Sequence, residues 1–351
     1  MFGPGLFRLL LALVVVMHHS TPIRLGSWAV YVFFILSGYW ISRMWEERYC
    51  RTRRPWVTFL VSRWWRLAPV FLVALALAAI SYRLWGRSMA EQTFLWGLRQ
   101  IPIVGSTIGG RLLPPQWSLD VEMQFYLAAG LLLPMLRMAT IATAVSLLAI
   151  PAMGFSLCYL YRGGEAEAPV LWPWLGFFLA GACIWHRRWT PSRGKAWAGM
   201  GAFALVTLAT ILVPATRGGF FVVGAIPVAP HLGHWPAVWQ ALGALFALPF
   251  VAVNVQKRSG GVDRALGNWA YPLYLIHWLG REWYYGKVDW SQPWWQNAGL
   301  LAINVAGALS VSLAMLWLVD RPFDRMRARW VRGRSIPAGV ASPIPAAAGV
   351  C

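Results

Sequence analysis

The amino-acid sequence predicts an all-α protein, a polytopic membrane helix bundle with about ten transmembrane helices. Three observations predict it: the composition, the spacing of the apolar runs and the positions of the basic residues. Of 351 residues, 58% are hydrophobic, only 12% are charged and 24 are tryptophan, and the mean hydropathy is +0.53. A soluble globular domain has about 25% charged residues, so the composition excludes that class.

Ten apolar runs are close to the roughly 20 residues that a helix needs to cross a bilayer. The first follows a basic residue, as in a signal peptide, but no small-residue cleavage site follows, so a retained helix is predicted. The segment 216–235 contains an apolar stretch broken by Gly and Pro, which predicts a loop or a re-entrant piece. The ten predicted spans are 6–22, 28–45, 66–82, 117–136, 140–160, 169–186, 196–214, 236–254, 265–284 and 297–319.

The basic residues predict the orientation. A net charge of +19 can indicate nucleic-acid binding, but these charges form short clusters between apolar runs, as the positive-inside rule requires. Ten crossings place both termini on one side, and most of the 31 Lys and Arg lie in the cytoplasm if the N-terminus does. We therefore expect N-in/C-in topology in the cell inner membrane, with the lipid bilayer as a partner and no nucleic acid.

Two parts of the chain are distinguished by composition. Residues 1–322 are expected to form the membrane domain, and residues 323–351 a cytoplasmic tail that is first basic and then, after Arg334, rich in Pro, Ala and Gly and so disordered. The four cysteines show no paired spacing, which supports neither a disulfide framework nor a zinc site. No metal site and no bound cofactor are predicted.

Arg8 and His19 are ionisable residues within the first apolar run. Eleven helical steps make about three turns, so the two side chains share a face about 16 Å apart along the axis. Ionisable groups at membrane depth are costly and usually face a bundle interior or a water-filled path. The pair is therefore a candidate functional site.

Glu122 is the candidate partner of His19. The first helix runs outward and the fourth begins at the outer surface, so these two side chains are expected to meet at one depth. A carboxylate orients an imidazole and raises its basicity, which suits a general base that removes a proton from a hydroxyl. The alternative is that Asp120 and Glu122 are interfacial charges and His19 is a hydrogen-bonded packing residue; the nearby Arg8 favours function.

Six motifs follow one another along the chain, and through them it resembles the acyltransferase 3 family, integral-membrane O-acyltransferases of bacterial surface and secreted carbohydrates. Two positions depart from the family pattern: Ala270 replaces a frequent Ser, and Asp320 replaces a common Glu. The motifs are Arg8-x10-His19, Phe33-Phe34-Ile35-Leu36-Ser37-Gly38, Arg63-Trp64-Trp65-Arg66-Leu67-Ala68-Pro69, Trp117-Ser118-Leu119 with Glu122, Phe125 and Tyr126, Tyr271-Pro272-Leu273-Tyr274-Leu275-Ile276-His277, and Asp320-Arg321-Pro322.

The resemblance implies roles for the motif residues. His19 is implied as catalytic base or transient acyl carrier, with Glu122 and Arg8 as catalytic partners. Arg63 and Arg66, expected at the inner end of the third helix, are implied to bind the phosphates of an acyl-CoA donor, since guanidinium groups bind phosphate bidentately; the alternative is a positive-inside anchor. Implied substrate-binding residues are Ser37, Trp117, Ser118, Tyr126, Tyr274 and His277. His277 is expected midway along the ninth span, where a structural role competes with lining the donor path.

The segment from Arg281 to Trp295 holds six aromatic residues. Trp and Tyr at a membrane boundary are most often an aromatic belt. The other interpretation is a sugar platform, in which aromatic faces stack on pyranose rings while Asp289 or Gln292 bonds their hydroxyls. His231 and His234 are too isolated to predict a ligand role.

The sequence therefore predicts an O-acyltransferase that moves an acyl group, expected to be acetyl, from cytoplasmic acyl-CoA to a hydroxyl of a carbohydrate or glycolipid. Two other classes remain open. A transporter or flippase of a polysaccharide precursor would also place Arg and His inside the bundle. A non-catalytic scaffold of a polysaccharide assembly complex would tolerate loss of His19.

Overall fold

The computed structural model describes residues 2–84, 94–104, 111–138, 169–221, 235–289 and 291–336. Within these ranges the chain forms helices and no β-strand, with two isolated bridges, Ile23 to Phe221 and Thr52 to Ser335. The all-α prediction is thereby confirmed. The helices are α1 (Pro4–Ser20), α2 (Gly26–Glu47), α3 (Pro55–Leu84), α4 (Phe94–Gln100), α5 (Gln116–Met138), α6 (Leu175–His186), α7 (Arg193–Leu212), α8 (Trp235–Phe246), α9 (Leu248–Val255), α10 (Gly261–Ile276), α11 (Arg281–Tyr285), α12 (Ala298–Met315) and α13 (Arg321–Arg332).

Three helical segments in the described part are long and apolar enough to cross a membrane: Pro55–Leu84, Arg193–Leu212 and Trp295–Arg332. The pair α8 and α9 adds a fourth if it is one span, but it is bent by 43°. Pro249 lies at the start of α9, and a proline that cannot donate its backbone N–H explains the bend. Span 140–160 lies outside the described residues, and the count of ten stays a prediction.

Helices α1 and α10 pack through glycines. A Cβ at Gly5 would lie 1.7 Å from the backbone oxygen of Asp263, and one at Gly267 would lie 2.9 Å from the Cα of Gly5. The Asp263 carboxylate accepts the backbone N–H groups of Gly5 and Leu6 at 3.0 and 2.9 Å. It thus caps the first turn of α1, where N–H groups have no intrahelical acceptor.

Helices α2 and α6 approach each other in the same way. A Cβ at Gly38 would lie 1.9 Å from the backbone oxygen of Phe178, and one at Gly181 would lie 1.9 Å from that of Ile35. Small residues permit such close packing of helices at membrane depth. Gly38 therefore sets the position of α2, and with it the position of the adjacent Ser37.

One helical rod of 38 residues, Trp295–Arg332, contains α12 and α13. A π-helical turn, Leu316–Asp320, joins them. Within α13, Arg327 is buried and donates hydrogen bonds to Ser62 on α3 and to Asp324. The first part of the predicted tail is therefore a helix packed against α3, while residues 337–351 lie outside the described residues.

Candidate active site

A cavity of about 330 Å³ lies between α1, α2, α3, α5 and α10. Four guanidinium groups and one carboxylate line it, from Arg8, Arg63, Arg66, Arg327 and Glu122. We call it the arginine cavity. Residues of five sequence motifs, one on each of these five helices, thus line one space.

Arg8 is the arginine of this group that is free to bind a ligand. Its guanidinium carbon lies 5.3 Å from the centre of the Trp40 ring, a cation–π distance. Among the described residues it has no hydrogen bond and no ion pair within 4 Å. A guanidinium held only by a ring face keeps its N–H donors available.

The other three arginines are fixed by protein partners. Arg63 is only 7% exposed and donates to the Tyr49 hydroxyl at 2.7 Å. Arg66 forms an ion pair with the buried Asp320 of the π-helical turn. Helix α3 begins at Pro55, so Arg63 and Arg66 lie about 12 and 16 Å from that end, within the first half of the helix; that this half faces the cytoplasm stays a prediction.

Glu122 does not pair with His19, so that prediction is wrong. Its Oε1 accepts hydrogen bonds from the hydroxyls of Ser37 at 2.7 Å and Tyr126 at 2.5 Å. The helix ends explain the difference: His19 is the penultimate residue of α1, whereas α5 begins at Gln116, so Glu122 lies about 9 Å along its helix. Glu122 therefore belongs to the arginine cavity with Arg8.

His19 lies in a cluster of rings at the end of α1. Its ring stacks on His277, with centroids 5.3 Å apart, and contacts His18 and Trp278 edge-on at 4.6 and 4.7 Å. Its ring nitrogens make no hydrogen bond with a described residue, so they are available to a substrate. His19 does not line the arginine cavity.

His277 is held in one tautomer. Its Nδ1 lies 2.7 Å from the backbone oxygen of Tyr274, and because a carbonyl only accepts, Nδ1 carries the proton. Its Nε2 is buried without a hydrogen-bond partner in the described structure. The prediction that His277 lies midway along a span is wrong, because α10 ends at Ile276.

The implied substrate-binding residues divide into two groups. Ser37, Ser118, Tyr126 and Tyr274 line the arginine cavity, and the hydroxyls of Ser118 and Tyr274 are 2.7 Å apart. Trp117 and His277 do not line it. Trp117 instead packs on Phe34 and Trp174, at 5.9 and 5.3 Å between ring centroids, which is a packing role.

Trp40 and Tyr271 are cavity residues to which the sequence reasoning gave no role. Trp40 lies under Arg8, and Arg66 lies 5.7 Å from the ring centre of Tyr271. Helical spacing was the signal for Trp40, since it follows Ser37 by three residues and shares its face. Tyr271 was already part of a motif.

The two other described histidines, His18 and His186, do not line this cavity. His186 lies 3.1 Å from a carboxylate oxygen of Glu46, whereas His231, His234 and Trp290 lie outside the described residues. Among the residues that the structure describes, no group of three His, Cys, Asp or Glu side chains is placed to hold a metal ion.

The apolar helices and the arginine cavity define a helical membrane protein with a cavity lined mainly by cationic groups. A family model described as an acyltransferase domain, Acyl_transf_3, matches residues 3–317. The chain belongs to the acyltransferase 3 family and is a membrane acyltransferase.

Two curated relatives are similar to this chain. Acyltransferase MdmB of Streptomyces mycarofaciens is 25% identical, over 87% of this chain and 82% of its own. BcsY of Komagataeibacter xylinus, which carries the name of a membrane-bound transacylase, is 25% identical, over 79% of this chain and 71% of its own. No solved structure matches the chain.

Proposed function

We propose that this protein is an inner-membrane O-acyltransferase that transfers an acyl group, acetyl in particular, from cytoplasmic acyl-CoA to a hydroxyl of a surface or secreted carbohydrate. The proposal includes ten spans with both termini in the cytoplasm. The observation that carries it is the arginine cavity, in which Arg8 faces a space of about 330 Å³ without a protein hydrogen-bond partner among the described residues.

The charge of the cavity suits an anionic donor. Guanidinium groups remain charged and bind phosphate oxygens in pairs. Asp320 and Asp324 pair with Arg66 and Arg327 and hold them in place, whereas Arg8 can bind the donor directly. In this proposal Glu122, fixed by Ser37 and Tyr126, limits the positive charge around Arg8.

His19 is the proposed catalytic residue. In direct transfer, the acceptor hydroxyl oxygen bonds to the thioester carbonyl carbon, and the carbon–sulfur bond breaks. His19 takes the hydroxyl proton and returns it to the leaving thiolate of coenzyme A. In the two-step alternative, a ring nitrogen of His19 carries the acyl group between donor and acceptor. His277, stacked on His19, takes the orienting role first expected of Glu122.

The test measures release of free coenzyme A by the purified full-length protein in lipid nanodiscs, with an extract of the host's surface glycans as acceptor. We expect glycan-dependent release from the wild type and loss of at least about 100-fold in His19→Ala, the usual scale for a general base. His186→Ala is the matched control, because His186 contacts Glu46 and not the ring cluster around His19. A His19→Ala variant that folds and keeps wild-type turnover would refute the role of His19.

A further inference from the structure

A second cavity, of about 210 Å³, lies at the other end of α1. Ser20, Thr21 and Pro22 form one wall, and residues between Tyr284 and Leu301 form the rest. Arg8 of the arginine cavity is twelve residues before Ser20, about 18 Å along the helix. We call this space the terminal cavity.

His19 is close to both cavities but lines neither of them. It precedes Ser20, a wall of the terminal cavity, and its ring stacks on His277. Tyr274, which lines the arginine cavity, is about one helical turn before His277. His19 is therefore one residue from the terminal cavity along the chain, and one ring contact and one helical turn from the arginine cavity.

Hydrogen bonds fix the terminal cavity to the end of α1. The hydroxyl of Tyr284 donates to the backbone oxygen of Ser20 at 2.8 Å, and that of Tyr285 donates to the backbone oxygen of His19 at 3.2 Å. Asn304 donates to the Ser20 hydroxyl oxygen at 3.0 Å. The last carbonyls of a helix lack intrahelical donors, so these contacts hold the cavity wall in register with His19.

The lining of the terminal cavity is neutral. None of its ten described lining residues is charged, in contrast to the arginine cavity. Tyr284, Trp295 and Pro293 supply flat apolar faces, while Ser20 and Gln292 supply polar atoms. The side-chain amide of Gln292 makes no hydrogen bond with a described residue. Flat faces with a few amides and hydroxyls suit the C–H and O–H groups of a sugar ring.

The loop that carries these groups is preorganised. Asn297 accepts the backbone N–H of Asp289 at 3.3 Å and donates to its backbone oxygen at 3.0 Å. Asp289 in turn accepts the backbone N–H and the hydroxyl of Ser291 at 2.9 and 2.6 Å. Trp295, which lines the cavity, is 61% exposed.

We propose that the terminal cavity is the acceptor subsite, where one neutral pyranose ring binds against Trp295 and Tyr284, with Gln292 bonding its hydroxyls, and presents a hydroxyl to His19. This inference rests on the proposed function. The volume of about 210 Å³ is below the roughly 300 Å³ at which pockets for drug-sized ligands begin, so the cavity takes a single ring of a longer chain.

The binding test is independent of turnover. Saturation-transfer NMR on the nanodisc protein uses a panel of neutral methyl hexopyranosides and compares wild type, Trp295→Ala and Trp197→Ala. Trp197 is the matched control, a 53% exposed tryptophan on α7. We expect a saturation signal from at least one glycoside in the wild type and the control, and its loss in Trp295→Ala. No signal from the wild type, or an equal signal in Trp295→Ala, overturns the subsite.

The kinetic test separates this inference from the proposed function. In glycan-dependent turnover, we expect Trp295→Ala to raise the KM for the acceptor about tenfold, the upper range for one aromatic contact, and to leave the KM for acyl-CoA unchanged. An effect on the acyl-CoA KM alone refutes the subsite and leaves the transferase intact. Glycoside binding that needs Trp295, in a protein that consumes no acyl-CoA, supports a sugar-binding site in the terminal cavity and refutes the proposed function.

Discussion

Replacing Gly38 with alanine should push α2 and α6 apart. The added Cβ would lie 1.9 Å from the backbone oxygen of Phe178, about 1.5 Å inside the ordinary contact distance that begins at 3.4 Å. The added Cβ is fixed by the backbone of α2, and the Phe178 oxygen belongs to the backbone of α6, so neither atom can move away by a side-chain rotation. Overpacking costs about 1–3 kcal/mol, and an overlap of about 1.5 Å with backbone belongs at the upper end of that range. The better helix propensity of alanine returns about 1 kcal/mol, so the net loss of stability is about 2 kcal/mol.

The matched control is Gly201→Ala on α7. No atom lies within 4 Å of its added Cβ, so we expect it to stabilise the protein by about 0.5–1 kcal/mol. Thermal unfolding in nanodiscs, followed by near-ultraviolet circular dichroism, should give a lower Tm for Gly38→Ala and an unchanged or higher one for Gly201→Ala. Because Ser37 moves with Gly38, turnover should also fall below the level that stability explains. A Gly38→Ala variant as stable and active as wild type would refute the packing argument.

Three further changes test the arginine cavity and the α1 cap. Arg8→Lys should raise the KM for acyl-CoA by about tenfold or more, because an ammonium cannot reproduce a bidentate phosphate contact. Tyr126→Phe should lower the free energy of unfolding by about 1–2 kcal/mol in denaturant titration, since it removes one of the two donors to Glu122. Burial opposes ionisation of Asp263, but the hydrogen bonds from Ser259, Leu6 and Gly5 outweigh it and lower the pKa of Asp263 below the ordinary 3.8. The stabilisation by the Asp263 carboxylate is therefore complete above pH 3.8 and lost as the pH falls further. Asp263→Asn should remove that part of the acid dependence when unfolding is measured as a function of pH.

For each of these three substitutions, one result would contradict the prediction. Equal acyl-CoA KM values for wild type and Arg8→Lys would place the donor phosphates elsewhere, with Arg193→Lys, on the exposed start of α7, as the control for a general charge effect. Unchanged unfolding of Tyr126→Phe would mean that Ser37 alone satisfies Glu122. Identical acid unfolding of Asp263→Asn and wild type would show that the cap does not contribute.

The sequence predicted the positions of the helices better than the contacts between their side chains. Apolar runs located α1, α2, α3 and α5 to within a few residues at most ends, because a helix in lipid must be apolar over its length. The start of α3 was missed by eleven residues, because Ser62 and Arg63 interrupt the apolar run after the first two helical turns. Hydropathy identifies segments that can contact lipid, whereas the side chains of Arg63 and Arg66 face the protein interior.

The site residues were predicted by type but not by partner. Arg8, Ser37 and Tyr274, which were named on three separate motifs, line one cavity. The prediction that His19 pairs with Glu122 was wrong because it depends on where two helices end. An error of a few residues at a helix end shifts the expected position of a side chain along the helix axis by several ångströms. The place of His277 was missed for a similar reason: apolar residues flank it on both sides, from Leu273 to Leu279, so hydropathy gave no sign that α10 ends at Ile276.

The rod from Trp295 to Arg332 reaches both cavities. At 38 residues it is about 57 Å long, nearly twice the roughly 30 Å of a hydrocarbon core. Trp295 lines the terminal cavity and Arg327 lines the arginine cavity, so one continuous helical segment forms part of both walls. Its π-helical turn, Leu316–Asp320, is anchored to α3 by the ion pair of Asp320 with Arg66. One anchored helical segment therefore holds these two walls at a fixed separation.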